Sequence, residues 1–294
     1  MPGGPRADPS GVVAGLVTPP GARPRLPLAH AVALGALQGP AELLPVSSSG
    51  HVALVPALLG WPYDGLEPEV RKAFEVALHA GTAAALTLAL RTEVAEVVGG
   101  LGLRRALGAG LAFLPPALAA WAFEAPIERR LGSVRSVALA QVVAGAVLGL
   151  ADRRPADRPL TDAGLLDHLL VGLGQATALA PGVSRGGASL TALRLRRVER
   201  PAAHRLSRHA ALPIILAATA LKGTRLARTG LPPGLAGPFA AGTLAAFGST
   251  LASARLIPRM DRARSYAPFA LYRIGLGCVA LGRAGPTRSL GSGP

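Results

Sequence analysis

The 294-residue chain is 50% hydrophobic and only 16% charged, against roughly 25% charge in an ordinary soluble domain. Its mean hydropathy of +0.40 points to an integral membrane protein rather than to one or two soluble domains. The formal net charge of +15 calls for nucleic acid, anionic lipid or a phosphorylated partner; aromatic residues total only 4% and do not interleave with the arginines, which sets lipid and phosphate ahead of nucleic acid. The single cysteine, Cys278, excludes an internal disulfide and a thiolate metal cluster.

In chain order, residues 1–26 hold one short apolar run fenced by prolines and are expected to form a disordered tail. The segment 28–60 is apolar but carries Pro, Gly and Ser at its centre, and the segment 165–194 has the same character. Apolar stretches at 74–91, 106–123, 135–151, 207–223, 235–256 and 267–283 are long enough to span a bilayer, several at the short end. Non-helical polar backbone at membrane depth survives only where protein or a wet cavity covers it, so the two interrupted segments are expected to be re-entrant helix–loop–helix hairpins. The fold class is therefore all-α: a polytopic membrane bundle of about six transmembrane helices plus two re-entrant hairpins. One membrane domain covers 27–283, and 284–294 is a second disordered tail. The side bearing 92–105, 152–164, 194–208 and 255–264 holds slightly more arginine, which favours it as cytoplasmic.

The interrupted segments match each other. Gln38 and Gln175, Val46 and Val183, Ser47 and Ser184, and Gly50 and Gly187 are all related by one shift of 137 residues, and the same shift carries Ala80, Thr82 and Ala83 onto Ala217, Thr219 and Ala220. A duplication is the reading, with repeats at about 28–151 and 165–283. One hairpin and three spanning helices per unit make an odd number of crossings, so the second unit enters from the opposite side and the broken segments meet near the midplane.

Four features of these segments carry chemistry. Glu42 lies one helical turn after Gln38, on the same face, and a carboxylate with an amide oxygen there suits a hard cation, Mg²⁺ or Ca²⁺, whose shell phosphate and water complete. In the run Ser47-Ser48-Ser49-Gly50-His51, one serine suffices to cap a helix, whereas three with a glycine suit a loop facing an anion. His51 is placed to accept a serine proton or to protonate a leaving oxygen. Arg185, between Ser184 and two glycines, either clamps a phosphate or neutralises Glu42, while Gly182, Gly186 and Gly187 let backbone amides approach closely. Elsewhere, Glu75 and His79 at helical spacing read as a polar lining or supporting pair, "RLRRVERPAAHRLSR" reads as a basic loop against anionic lipid, and Arg273 sits inside the last apolar segment.

"LQGPAELLPVSSSGHVAL" and "ALAPGVSRGGASLT" resemble the two signatures of the bacterial undecaprenyl-diphosphate phosphatases, the BacA/UppP family, and "FEVALHAGTAAAL" and "PFALYRIGLG" also resemble stretches of it. The resemblance implies an enzyme of inverted repeats that takes the terminal phosphate from undecaprenyl diphosphate, with a divalent cation assisting. It implies a site open to the outer face, recycling of the peptidoglycan lipid carrier, and bacitracin resistance at raised levels. By motif position it makes Glu42 the essential acid, Ser48 the nucleophile and His51 its proton partner, with Ser184 and Arg185 binding phosphate. Gln38 stands where many relatives have glutamate, Gly186 replaces a serine, Ser189 keeps the hydroxyl of a usual threonine, and Arg208 and His209 stand where the family is mostly apolar. The partners expected are a polyprenyl diphosphate, membrane lipids and a second copy in a homodimer, with no nucleic acid. A lipid-phosphate transporter or flippase and a non-catalytic polyprenyl-phosphate-binding protein are the rival readings.

Overall fold

The computed structural model describes residues 26–63, 65–100, 102–231 and 234–283. The tails expected at 1–26 and 284–294 lie outside these residues, except for Leu26, which is buried in the core. Among the described residues the architecture is helical, with one isolated β-bridge between Arg158 and Val198.

The first half runs α1 (Leu28–Leu43), α2 (Ser48–Leu59), α3 (Pro68–Ala89), the short α4 (Arg91–Gly99), α5 (Leu103–Leu131) and α6 (Val134–Asp152). The second runs α7 (Leu165–Thr177), α8 (Arg185–Leu195), α9 (Arg200–Thr229), α10 (Ala236–Ser253), the short α11 (Ile257–Asp261) and α12 (Ala267–Arg283). Both interrupted segments are helix–loop–helix pairs, α1–α2 and α7–α8. α1 leaves its own half to pack along α10, and α7 packs in the same way on α5 of the first half. α6 and α12 lie against each other at the centre.

Small residues make these contacts close. A Cβ on Gly35 of α1 would come within 2.3 Å of the Gly242 carbonyl oxygen of α10, and one on Gly39 within 2.4 Å of the Ser249–Thr250 backbone. The Gly-xxx-Gly spacing of α1 thus lets two backbones touch, as membrane helix pairs often do. The apolar core gathers around Leu148, Val171, Leu190 and Tyr266 on one side and around Leu34, Phe74, Leu78 and Phe239 on the other.

Large apolar side chains also face outward: Trp121 is 86% exposed, Leu244 70% and Leu271 68%. Such a surface is unsuited to water. Six spanning segments were expected; among the described helices α5 and α6 are by themselves long and apolar enough to cross a membrane. α12 has only 17 residues, α10 is built mostly of Ala, Gly, Ser and Thr, and α9 is basic at both ends.

The basic stretch expected to face lipid is largely consumed inside the protein. Arg194 is fully buried, with Nε 3.2 Å from Asp152 Oδ1 and Nη1 2.6 Å from the Val198 carbonyl. Arg196 and Arg158 both bond Asp167, and Arg197 pairs with Asp157. These pairs fasten the 153–164 connection to the turn between α8 and α9.

Candidate active site

The two loops share an uncommon backbone. Ser47 has φ 75° and ψ 97°, and Ser184 has φ 71° and ψ 115°, a region that non-glycine residues rarely enter. Each seryl Oγ then accepts from the amide three residues on, Gly50 N at 3.2 Å and Gly187 N at 3.1 Å, which caps α2 and α8. The strain of order 1–3 kcal/mol per residue is held by the surroundings. Gln141 of α6 donates Nε2 to the Val46 carbonyl at 2.9 Å, and Arg273 of α12 donates Nη2 to the Val183 carbonyl at 2.7 Å and the Gly182 carbonyl at 2.9 Å. Arg273 Nε also donates to Gln141 Oε1 at 2.9 Å, so a fully buried pair at the centre of the bundle locks both loops. Gly182 (φ 96°) passes so close to α6 that a Cβ would lie 2.5 Å from the Val137 carbonyl oxygen; only glycine fits.

Both capped helices begin at one carboxylate. Glu42, at the end of α1 and 7% exposed, receives Ser48 Oγ on Oε2 at 2.7 Å and the Arg185 guanidinium on Oε1. Gln38 Nε2 is 3.5 Å from the same Oε2, and Nε2 of His79, on α3, is 3.7 Å from it. Ser49 is close by, 3.3 Å from Ser47 Oγ and 3.5 Å from the Gly182 amide, which links the loops directly. A narrow cavity of about 50 Å³ borders Glu42, Pro45 and Arg185 and reaches Ser207 and Arg208 of α9.

Of the residues singled out from sequence, Gln38, Glu42, Ser47, Ser48, Ser49, Gly182, Ser184, Arg185 and Gly187 all come together here. Four of the candidate residues are used otherwise than expected. Ser47 and Ser184 spend their oxygens as caps. Ser189 is fully buried and donates to the Arg185 carbonyl at 3.0 Å within its own helix rather than facing an anion. His51 does not bond the Ser48 hydroxyl: its Nδ1 lies 2.7 Å from the Ser47 carbonyl and its Nε2 2.7 Å from the Tyr272 hydroxyl. The carbonyl must receive Nδ1–H, which leaves Nε2 to accept from Tyr272. The ring thus bridges the Ser47 carbonyl and α12, and both of its nitrogens are occupied.

The histidine at the carboxylate is His79. Its Nδ1 lies 2.8 Å from the Glu75 carbonyl and is held as a donor, so Nε2 faces Glu42. The "EVALHAG" spacing marked this residue, but nothing local tied α3 to α1. Arg273 was likewise visible only as a charge in an apolar run.

The donors facing a cation at this point are the Glu42 carboxylate and Gln38 Oε1, a buried oxygen with no hydrogen-bond partner. Among the described residues no group of three or more His, Cys, Asp or Glu could enclose a metal ion. An orphaned amide oxygen beside one carboxylate fits a hard cation that takes its remaining ligands from phosphate and water.

A helical bundle whose two strained, capped loops set a seryl hydroxyl and a guanidinium on one buried carboxylate belongs to the class of membrane-type proteins that handle an oxyanion. A family model described as bacitracin resistance protein BacA matches residues 31–279. The undecaprenyl-diphosphatase of Geobacter sulfurreducens is 38% identical over 265 residues, covering 86% of this chain and 96% of that protein. Those of Trichlorobacter lovleyi and Chromohalobacter salexigens are each 38% identical, over 271 and 270 residues, covering 86% of this chain and 97% of each relative. The chain belongs to the BacA family.

Proposed function

We propose that this protein is a multi-pass membrane phosphatase that hydrolyses undecaprenyl diphosphate to undecaprenyl phosphate and inorganic phosphate. It thereby recycles the lipid carrier of peptidoglycan synthesis and, at raised levels, confers bacitracin resistance. The observation that carries this reading is the convergence of Ser48 and Arg185 on the two oxygens of Glu42.

The terminal phosphate replaces Glu42 as the partner of Arg185, whose fork suits phosphate oxygens. Ser48, already donating to Glu42, attacks the terminal phosphorus as its proton passes to that carboxylate. The Oγ–P bond forms and the bridging P–O bond breaks, releasing undecaprenyl phosphate. Glu42 gives the serine proton to the departing phosphate or to His79 beside it and is then free to take a proton from the water that cleaves the phosphoseryl bond, which releases inorganic phosphate and returns a proton to Ser48 Oγ. The amides at the starts of α2 and α8 and the Ser49 hydroxyl stabilise the charge that develops. Gln38 and Glu42 would hold Mg²⁺ or Ca²⁺, which when bound neutralises phosphate charge.

In the same reading the chain forms two inverted repeats, about 28–151 and 165–283, with six spanning helices and two re-entrant hairpins. The exchange of α1 onto α10 and α7 onto α5, and the paired serine caps, support it. The site opens to the extracytoplasmic face, and the protein associates as a homodimer, checked by its mass in detergent.

The test is phosphate release from undecaprenyl diphosphate by detergent-purified protein with Mg²⁺ or Ca²⁺, beside Glu42→Ala, Ser48→Ala and Arg185→Ala. Turnover in the wild type alone is expected. Binding without turnover would give the chain to the transport or binding readings, and turnover surviving Ser48→Ala would leave Glu42 activating water directly. Rapid quenching should trap phosphate on Ser48.

A further inference from the structure

A second cavity lies away from the carboxylate, along the flank where α6 meets α12. Its volume is about 840 Å³, within the range of ligand sites. Its walls are Gly149 and Leu150 of α6 and Ala270 and Leu271 of α12, and both leucines are more than 60% exposed at its lips. One end is basic: Arg153, Arg154, Arg194 and Arg200 line it together with a single carboxylate, Asp152.

That carboxylate is spent. Asp152 accepts from Arg194 Nε at 3.2 Å, Arg200 Nε at 2.7 Å, Ser265 Oγ at 3.0 Å and the Tyr266 amide at 2.7 Å. Arg153 is exposed and has no side-chain bond or ion pair among the described residues, and Arg154 makes one bond, Nη1 to the Leu195 carbonyl at 3.3 Å. Four guanidiniums against one saturated carboxylate leave an end that attracts an anion, and the rest of the cavity is apolar and opens beside outward-facing leucines. An amphipathic molecule with a phosphate at one end satisfies both halves, whereas a soluble anion leaves the apolar half unfilled.

We propose that this groove binds an anionic membrane lipid, its headgroup phosphate held by Arg153, Arg154 and Arg200 and its chain lying on Gly149, Leu150, Ala270 and Leu271. The site is separate from the carboxylate that cleaves substrate, and its occupancy does not depend on the reaction. Gly145, also in its wall, packs against Arg273, where a Cβ would lie 3.0 Å from the Arg273 Cβ. The lipid therefore braces the helix that locks both loops.

The test is the melting temperature of the full chain in vesicles of phosphatidylcholine, with and without phosphatidylglycerol. Phosphatidylglycerol should raise the wild-type melting temperature by several degrees. Arg153→Gln with Arg154→Gln should remove most of that increment, as should Gly149→Leu, which fills the groove. Arg129→Gln with Arg130→Gln, the same charge change on the exposed end of α5 that leads into the far end of α6, should keep it. An undiminished increment in the Arg153/Arg154 variant, or equal loss in both double variants, overturns the site. So does an equal rise from inorganic phosphate in phosphatidylcholine, or a dimer formed in phosphatidylcholine and lost on Gly149→Leu, which would assign the groove to a second copy. The readout is stability, so it stands apart from any failure of the phosphatase reading.

Discussion

The loops at 44–51 and 181–188 use one backbone and two chemistries. Each carries a seryl cap at positive φ, 75° and 71°, and each has its preceding valine carbonyl caught by a side chain from the central helices. The next residue differs: shifted by 137, Ser48 becomes Arg185. These two side chains then meet on the two oxygens of Glu42, which has only Leu179 at the same shift. A shared scaffold thus presents a hydroxyl on one side and a charge on the other, and the carboxylate stands in one copy only.

The largest test of that division removes the carboxylate's charge while keeping its shape. Glu42→Gln is expected to lower turnover by about 10³-fold or more, since the variant loses the carboxylate that Ser48 and Arg185 share. It also strands the Arg185 guanidinium, at a cost of roughly 3–5 kcal/mol for an unpaired buried charge. Adding Arg185→Gln should recover much of the melting temperature and none of the activity. Recovery of activity in the double variant would mean that the pair is only structural.

The next test concerns the two histidines. His79→Gln removes the imidazole beside Glu42 and should cost about 10²-fold in turnover with little change in melting temperature. His51→Gln breaks the link from the first loop to Tyr272, so it should lower the melting temperature and leave most of the turnover. The opposite pattern would return the proton to His51.

The site was legible wherever chemistry sat within a few residues of itself. Glu42, the serines and Arg185 stood out because polar groups in an apolar run must be used, and the 137-residue shift brought the two loops together before any coordinates. What escaped depended on distance and direction. His51 follows the serines in sequence, but the Ser47 carbonyl and the distant Tyr272 hydroxyl take both of its ring nitrogens. His79 and Arg273 reach the site across helix contacts that no local pattern records. The basic stretch after α8 read as a lipid-facing loop because the carboxylates that absorb it, Asp152, Asp167 and Asp261, lie far away in the chain.

A smaller effect probes the strain itself. Glycine enters positive φ freely, and at a helix cap it costs only a few tenths of a kcal/mol relative to serine. Alanine lacks the cap and keeps the steric cost. Ser47→Ala and Ser184→Ala should therefore each destabilise by about 1 kcal/mol or more in thermal melts, and the glycine variants should come close to wild type. A large difference between the two positions would show that the loops are not held alike.

A last contrast extends the comparison to the helices after each hairpin. Shifted by 137, Arg71-Lys72 on α3 become Arg208-His209 on α9. Lys72 is 38% exposed and pairs with Glu128, itself 40% exposed, so Lys72→Gln should change stability by about 0.5 kcal/mol or less at any pH. Arg208 is only 9% exposed and bonds Asp261 Oδ1 at 2.6 Å and Glu93 Oε1 at 3.0 Å, which explains how an arginine is tolerated at a buried position. Burial pushes the Asp261 carboxyl up, but the hydrogen bonds and charges of Arg208 and His204 outweigh it and hold the group below the usual carboxylate range. A carboxyl depressed in the folded state contributes stability above its unfolded pKa of about 3.9 and loses it as pH falls through the lower folded value. Asp261→Asn should therefore cost on the order of 1–3 kcal/mol at neutral pH. The gap to wild type should close as the melts are taken into acid below that range; a gap that stayed constant with pH would mean that Asp261 contributes packing rather than charge.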